Sequence, residues 1–529
     1  MRWMSARAAG RRTPHERAAP LPPRSRSLWI ATAPGPSYPP LRGDLGVDVA
    51  IVGSGITGIT AAGILKDAGL KVAVLDVGRI ARGVTGHTTA HITEVVDHPF
   101  GKLIESFGVE GARLALQSTR AAVEHIAATV QRRKLSCDFE RVAGYSYTES
   151  RDGLTALREE QEAARSIGLA VELVKDVPLP FATEGGLRFE DQAQFHVRRY
   201  LLPQIARIPG RGCHVFEDTL ALDVKDGEPC RVVTARGTIT ARHVLLATHA
   251  PLGNKTIQTK VAQYRSYVLG CRVAGPAPAG LFWDDEDPYH YIRSQRTSRG
   301  DVVIIGGEDH KVGQEEDTEA RYEALLAYAR HRFDVRSVDY RWSAQTLEPV
   351  DGLPYIGRDT GAGHVYVATG FSGTGMTFGT VAALMLADAV RGRPNPWAEL
   401  YDPRRLKPVK SVGTFLKENS DFPTYLVGDR LKRPKGRSIA DVPRGSGRVL
   451  VVDGERIAVS RDDAGTPRAV SAVCTHMGCI VRWNGAERSW DCPCHGSRFD
   501  AAGRVLDGPA SRNLEPRPVP GRTRKTRTR

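Results

Sequence analysis

No run of eighteen consecutive apolar residues occurs in this chain of 529, so no membrane-spanning helix is expected. Nor does a continuous apolar segment follow Arg11-Arg12. That stretch is rich in Pro and Arg, which argues against a secretory or twin-arginine leader and for a cytoplasmic protein. Internal repeats are absent. Acidic residues are nearly missing at the two ends. Residues 1–43 hold eight Arg against Glu16, and residues 516–529 hold six Arg or Lys and no acid; of the formal charge of +14, the 472 residues between them carry about +1. A nucleic-acid binder places such charge on a folded face. Here it sits in stretches, 1–44 and 521–529, that read as disordered basic tails, so no nucleic-acid partner is expected. Cysteine is sparse, eight in all, and Cys137, Cys213, Cys230 and Cys271 are scattered without motif spacing and read as buried inert thiols.

The other four cysteines fall in two short runs, Cys474-Thr475-His476-Met477-Gly478-Cys479 and Cys492-Pro493-Cys494-His495-Gly496-Ser497. Each run offers one thiolate and one imidazole at close spacing, with one further cysteine. Fifteen residues separate His476 from Cys492, enough for a β-hairpin between two ligand loops. Structural zinc sites pair C-x2–4-C with a second such pair or with H-x3–5-H, and these mixed spacings fit that poorly. The pattern resembles a Rieske [2Fe–2S] site, in which two Cys hold one iron and two His the other. The implied ligands are Cys474, His476, Cys492 and His495. Neutral imidazoles make such a cluster easier to reduce, at about −150 to +300 mV against about −400 mV for a plant-type ferredoxin. The wording is similar to that of the high-potential Rieske proteins of respiratory complexes, whose spare cysteines form a disulfide joining the loops. That resemblance implies a Cys479–Cys494 bond, a Ser497 hydroxyl on a bridging sulfide, and a covering loop at Gly508-Pro509-Ala510.

Near the other end, Val47 to Val52 is a compact apolar run, followed by Gly53-Ser54-Gly55-Ile56-Thr57-Gly58, a helical stretch to Ala68, and a second apolar run, Lys71 to Leu75, ending at Asp76. Strand, Gly-rich turn, helix, strand and acid make the dinucleotide-binding fingerprint. Gly53 permits the tight turn, Gly55 lets backbone amides approach a pyrophosphate, and Gly58 allows close packing. The helix N-terminus favours the phosphates, and Asp76 can accept from ribose hydroxyls. Thr85-Gly86-His87-Thr88-Thr89, ahead of His91, and Gly370-Phe371-Ser372-Gly373-Thr374-Gly375-Met376 resemble the flavin-lining segments of the D-amino-acid, glycine and sarcosine oxidase family. Val244 to His249 resembles its central strand. The resemblance covers about 45–405 and implies FAD as cofactor, with cofactor contacts at Gly53 to Gly58, Asp76, Thr85 to Thr89, Gly370 to Gly373, Gly375 and Met376.

The expected fold class is therefore α/β plus all-β. A Rossmann-like, three-layer FAD-binding domain (about 45–100, 200–255 and 340–395) carries an inserted mixed α+β substrate domain (about 101–199 and 256–339), together spanning 45–402. A basic linker follows at 403–437, with ten basic and three acidic residues, and then a small antiparallel β Rieske domain at 438–520. Residues 110–134 and 150–167 read as amphipathic helices; Tyr267-Val268-Leu269, Tyr289 to Ile292 and Val302 to Ile305 read as strands.

A flavin accepts two electrons as a hydride, and a Rieske cluster passes them singly. The expected activity, implied by the resemblance, is oxidation of a small amine or amino acid at its CH–NH bond. Electrons would then leave one at a time for an external acceptor such as a ferredoxin, a cytochrome or the quinone pool. Arg265, Tyr267, Tyr291 and Arg293 are the candidate substrate contacts, and His87 or His91 is a candidate for a covalent flavin link. An NAD(P)H-dependent reductase would need a second nucleotide site, and only one GxGxxG is convincing. A regulatory role for the Rieske module stays open. An oxygenase would need a two-His, one-carboxylate iron site, and the connector lacks paired His.

Overall fold

The computed structural model describes residues 21–253, 255–405 and 438–520. The expectations for residues 1–20, for all but the first three residues of the 403–437 linker, and for the 521–529 tail lie outside them. Alternating β-branched and small apolar residues build a parallel core. Its strands Val72–Leu75, Leu45–Val52, Gly237–Leu246 and Val365–Thr369 lie side by side in that order. Their ends are in register, with Val52 beside both Leu75 and Leu246, and Leu246 beside Val367. Tyr355–Arg358 closes one edge antiparallel, and His214–Phe216 closes the other. Toward their carboxyl ends these strands are apolar and buried, where helices cover them. Ile56–Asp67 and Gly375–Val390 lie together there, most of their residues buried. Ser372–Val390 is long and apolar enough to cross a bilayer (mean hydropathy 1.3), but 67% of that stretch is buried inside the fold, as befits a core helix.

A second, nine-stranded mixed sheet runs Val335–Pro349, Val261–Val273, Gly300–Lys311, Tyr291–Thr297, Leu281–Asp284, Glu140–Thr148, Gly185–Gln194 and His91–Ile92, with Val171–Val174 on its edge. It is mixed because Leu281–Asp284 pairs parallel with Glu140–Thr148. The long strand Val335–Pro349 belongs here, so the third segment of the dinucleotide-binding half begins after Pro349 rather than near 340. The expected helices appear as Phe100–Arg133, interrupted by non-helical Gly108, and Gly153–Ser166. The C-terminal unit holds a three-stranded antiparallel sheet (Gly447–Val452, Glu455–Arg461, Pro467–Ser471) and a four-stranded one (Arg482–Asn484, Ser489–Asp491, Arg498–Asp500, Val505–Asp507).

One expectation is corrected. Residues 21–44 are not a disordered tail. Ser27 caps a short helix, Leu28–Thr32, whose Leu28 and Trp29 are fully buried. Two large apolar side chains packed in a core outweigh a Pro- and Arg-rich setting.

Candidate active site and cluster loops

Ligands of open parallel sheets gather where strands end at their carboxyl side. Gly53 follows Val52 there with φ +107°, and a Cβ at this position would collide with the Ala247 carbonyl oxygen. Only glycine allows this close turn. Asp76, at the end of the neighbouring strand, accepts from Ser54 N (2.8 Å), Ser54 Oγ (2.6 Å) and Gly78 N (2.9 Å). Burial nevertheless raises its pKa. Above these groups opens a cavity of about 750 Å³. Gly53 to Thr57, Asp76, Thr85, His87 to Thr89, Phe371 to Gly373, Gly375 and Met376 all line it; Gly58, Gly86 and Gly370 do not. The structure thus brings together the three segments expected from sequence.

The loop between Ile80 and Ala90 is held from outside. Arg198 donates to the carbonyls of Ile80 and Ala81, Ser27 to Gly86, Trp342 to His87, Trp29 to Thr88, and Arg293 to Thr89 and Ala90. Carbonyl dipoles are thereby turned away from the cavity over five consecutive residues, which fixes the loop. His87 Nδ1 lies 2.9 Å from the Gly83 carbonyl oxygen. His91 has its Nδ1 3.0 Å from Thr89 Oγ1, and its pKa is pushed down to about 3 by burial, so the ring is neutral. Its Nε2, on the cavity wall, is buried without a partner among the described residues, as is His249 Nε2.

The four candidate substrate contacts separate. Tyr291 lines the cavity, its hydroxyl 2.6 Å from Ser266 Oγ. Arg293 does not: its guanidinium is buried among the carbonyls of Thr89, Ala90 and Phe195 and the Gln295 side chain, over the Trp29 ring. Arg265 and Tyr267 also lie off the cavity wall. Successive strand residues face opposite ways, so Ser266 faces the cavity while Arg265 reaches Ser343 Oγ (2.6 Å) and Tyr267 reaches His310 Nε2 (2.9 Å). The sequence reading missed Asp97, Tyr289, His249 and Gln345, which the fold brings to the wall from four separate segments. No local spacing marks them.

At the C-terminal loops, Cys474 and Cys492 are buried and hydrogen-bonded to each other. That contact, with the amides of His476 and Met477 and the Ser497 hydroxyl, holds Cys474 down to about 7 against burial. The His476 and His495 rings stand 5.0 Å apart, nearly perpendicular, and burial lowers His495 to about 4, leaving the neutral imidazole a metal requires. Two cysteine thiols and two imidazoles on facing loops match the ligand set of a [2Fe–2S] cluster. Cys479 and Cys494 are disulfide-bonded, with Cα atoms 6.5 Å apart. Ser497 Oγ accepts from Ala510 N (3.1 Å), tying the covering loop to the second ligand loop. A second group within metal-binding reach, Asp284, Glu286 and His290, is an internal ion-pair network.

Residues 48–389 match the family described as FAD dependent oxidoreductase, and residues 435–518 match the Rieske [2Fe-2S] domain. The chain belongs to the FAD-dependent oxidoreductase family. It is 33% identical over 493 residues to YhfW of Bacillus subtilis (strain 168), which bears the name of a Rieske 2Fe-2S iron-sulfur protein; the match covers 92% of this chain and 97% of that one. It is 25% identical over 367 residues to gamma-glutamylputrescine oxidoreductase of Escherichia coli (strain K12), covering 65% and 84%. Among solved structures it resembles glycine oxidase from Geobacillus kaustophilus, with a TM-score of 0.57 and 19% identity over 68% of this chain and all of that one. The cofactors are thus FAD and a [2Fe–2S] cluster.

In this FAD-dependent oxidoreductase the Rieske module contributes to the cavity wall. Val505 to Gly508 and Ala510 form part of the wall. Gln345, also on the wall, donates through Nε2 to Gln263 Oε1 (2.6 Å) and to the carbonyl of Gly496 (3.2 Å), next to His495. Gly496 has φ +62°, and a Cβ there would run into Gln263, so the cluster loop seats against the sheet only with glycine. Arg265 faces the same junction; burial would raise Asp491 and Asp507, but Arg498 and Arg265 hold both low.

Proposed function

We propose that this protein oxidises a small amine or amino acid at its CH–NH bond, and that the electrons leave singly through the Rieske module to an external acceptor. When bound, FAD supplies a hydride acceptor and the cluster a one-electron carrier. The chain's residues do the rest. The Gly53–Gly58 turn and the N-terminus of Ile56–Asp67 would hold the pyrophosphate, Asp76 would hold the ribose, and the fixed Thr85–Thr89 loop would contact the flavin. Thr88, Thr89 and the Phe371–Met376 turn bound the place where substrate meets cofactor. Val505 to Gly508 exclude water from one side. A one-electron acceptor in the cytoplasm suits the chain. The observation that carries this reading is Gln345, one side chain that both lines the flavin cavity and hydrogen-bonds the cluster loop. The test is anaerobic stopped-flow on the holoenzyme with a reducing amine or amino acid. Flavin bleaching followed by appearance of the reduced-cluster EPR signal is expected. A cluster that stays oxidised while the flavin turns over with dioxygen would defeat the relay.

A further inference from the structure

Among the described residues no Arg or Lys lines the cavity, in a chain with 74 of them. Its wall instead carries carboxylates and aromatic rings. Asp97 lies beside the Gly373 turn, its Oδ2 accepting from Gly373 N at 2.7 Å. Tyr289 and Tyr291 stand next to it, their ring centroids 5.7 Å apart. Behind Ser266 and Tyr291 sits Asp309, both of whose carboxylate oxygens are buried. Burial, with Asp97 nearby, pushes Asp309 up to about 7 although Ser266 pulls it the other way. Trp283, stacked on Phe189 with centroids 5.8 Å apart, adds a further aromatic surface to the same wall.

A substrate carboxylate entering here would meet acidic side chains and no Arg or Lys on the wall, and a buried unpaired charge is costly. An ammonium would meet a carboxylate and the electron-rich faces of two phenols, the arrangement that recognises organic cations. The two arginines that sequence put forward for a carboxylate are both off the wall, one holding backbone carbonyls and one facing the Rieske module.

We propose that the substrate taken in this cavity is a cationic primary or secondary amine with no carboxylate on its reacting carbon, held by Asp97 and the Tyr289–Tyr291 pair, with the buried Asp309 carboxyl behind them. The inference rests on the proposed oxidation of a CH–NH bond and narrows it from amines and amino acids to amines.

Two measurements on the anaerobic holoenzyme test it. In the first, flavin absorbance is titrated with benzyltrimethylammonium, which has no N–H bond to oxidise, and with benzoate. The cation is expected to perturb the spectrum with roughly a hundredfold tighter binding, equivalent to about 2.7 kcal/mol. Asp97→Asn and Asp309→Asn are each expected to weaken the cation roughly tenfold and to strengthen benzoate; the second variant leaves the Gly373 contact intact if the first disturbs the turn. Benzoate binding as tightly as the cation overturns the inference. In the second, flavin bleaching is compared for 1,4-diaminobutane, butylamine and N-methylbutylamine against glycine, N-methylglycine and proline. Bleaching by the amines alone supports the inference. Bleaching by the amino acids alone overturns it and leaves the broader reading standing. Bleaching by neither class defeats both.

Discussion

His290 shows how much one buried side chain can contribute here. Its ring is stacked on Tyr328 at 3.7 Å, Nδ1 lies 3.1 Å from Asp284 and 3.7 Å from Glu286, and Nε2 lies 3.7 Å from Glu308. Burial would lower its pKa, but Asp284 and Glu308 raise it from 6.5 to about 9. The folded state therefore keeps a proton that the unfolded state releases above pH 6.5. The stabilisation is fully present below about 6.5 and is lost as pH rises through about 9, and its size is on the order of 3 kcal/mol. In thermal melts of His290→Gln beside the parent protein, the gap between midpoints is expected to be wide at pH 6 and to narrow by pH 10. The same residue-level view explains why the substrate side was hard to read. Tyr291 and Arg293 lie two apart in one strand, yet one reaches the cavity and the other is drawn onto the Thr89 and Ala90 carbonyls. Nothing in their spacing distinguishes them, because a guanidinium follows whichever acceptors the tertiary fold leaves unpaired.

The elements that carry cofactor chemistry were legible because their chemistry is local. A Gly-rich turn between a strand and a helix, or two Cys–His runs fifteen residues apart, constrains its own geometry. Long amphipathic helices were legible for the same reason, except for the turns of Phe100–Arg133 that precede its break at Gly108. The short Leu28–Thr32 helix was not, since its Pro- and Arg-rich flanks outweighed its single apolar triad, Leu28-Trp29-Ile30. Yet this element reaches the flavin loop: Trp29 Nε1 donates to the Thr88 carbonyl at 2.5 Å, and Ser27 Oγ to Gly86 at 2.6 Å. Trp29→Phe keeps most of the buried ring and removes only the donor, leaving a carbonyl unpaired at a cost of about 1–3 kcal/mol. Roughly tenfold faster loss of FAD on dialysis is expected, read from the fluorescence of released flavin. A lowered melting point with unchanged FAD retention would mean that the helix serves packing alone.

For the molecule as a whole, three directed hydrogen bonds among the described residues show how the two modules meet. Ala486 N donates to Thr318 Oγ1 (3.1 Å), Tyr322 donates to Glu487 (3.1 Å), and Gln345 bridges to Gly496. The first two hold the hairpin of the Rieske module and lie away from its ligand loops; only the third joins the cavity wall to the segment bearing His495. This division was invisible in the sequence, where Gln345 lies about 150 residues from its partner. It also separates docking from electron passage. Gln345→Leu preserves volume on the wall and removes both amide hydrogen bonds, while Thr318 and Tyr322 keep the module in place. The loss of one directed contact of about 1 kcal/mol at the junction is expected to slow cluster reduction roughly fivefold. Flavin reduction by substrate should change by less than twofold, because no charge on the wall is altered. Stopped-flow traces at flavin and cluster wavelengths separate the two rates. Equal slowing of both would place Gln345 in substrate positioning instead, and no slowing of either would mean that electrons cross the junction by another part of the Val505–Gly508 contact.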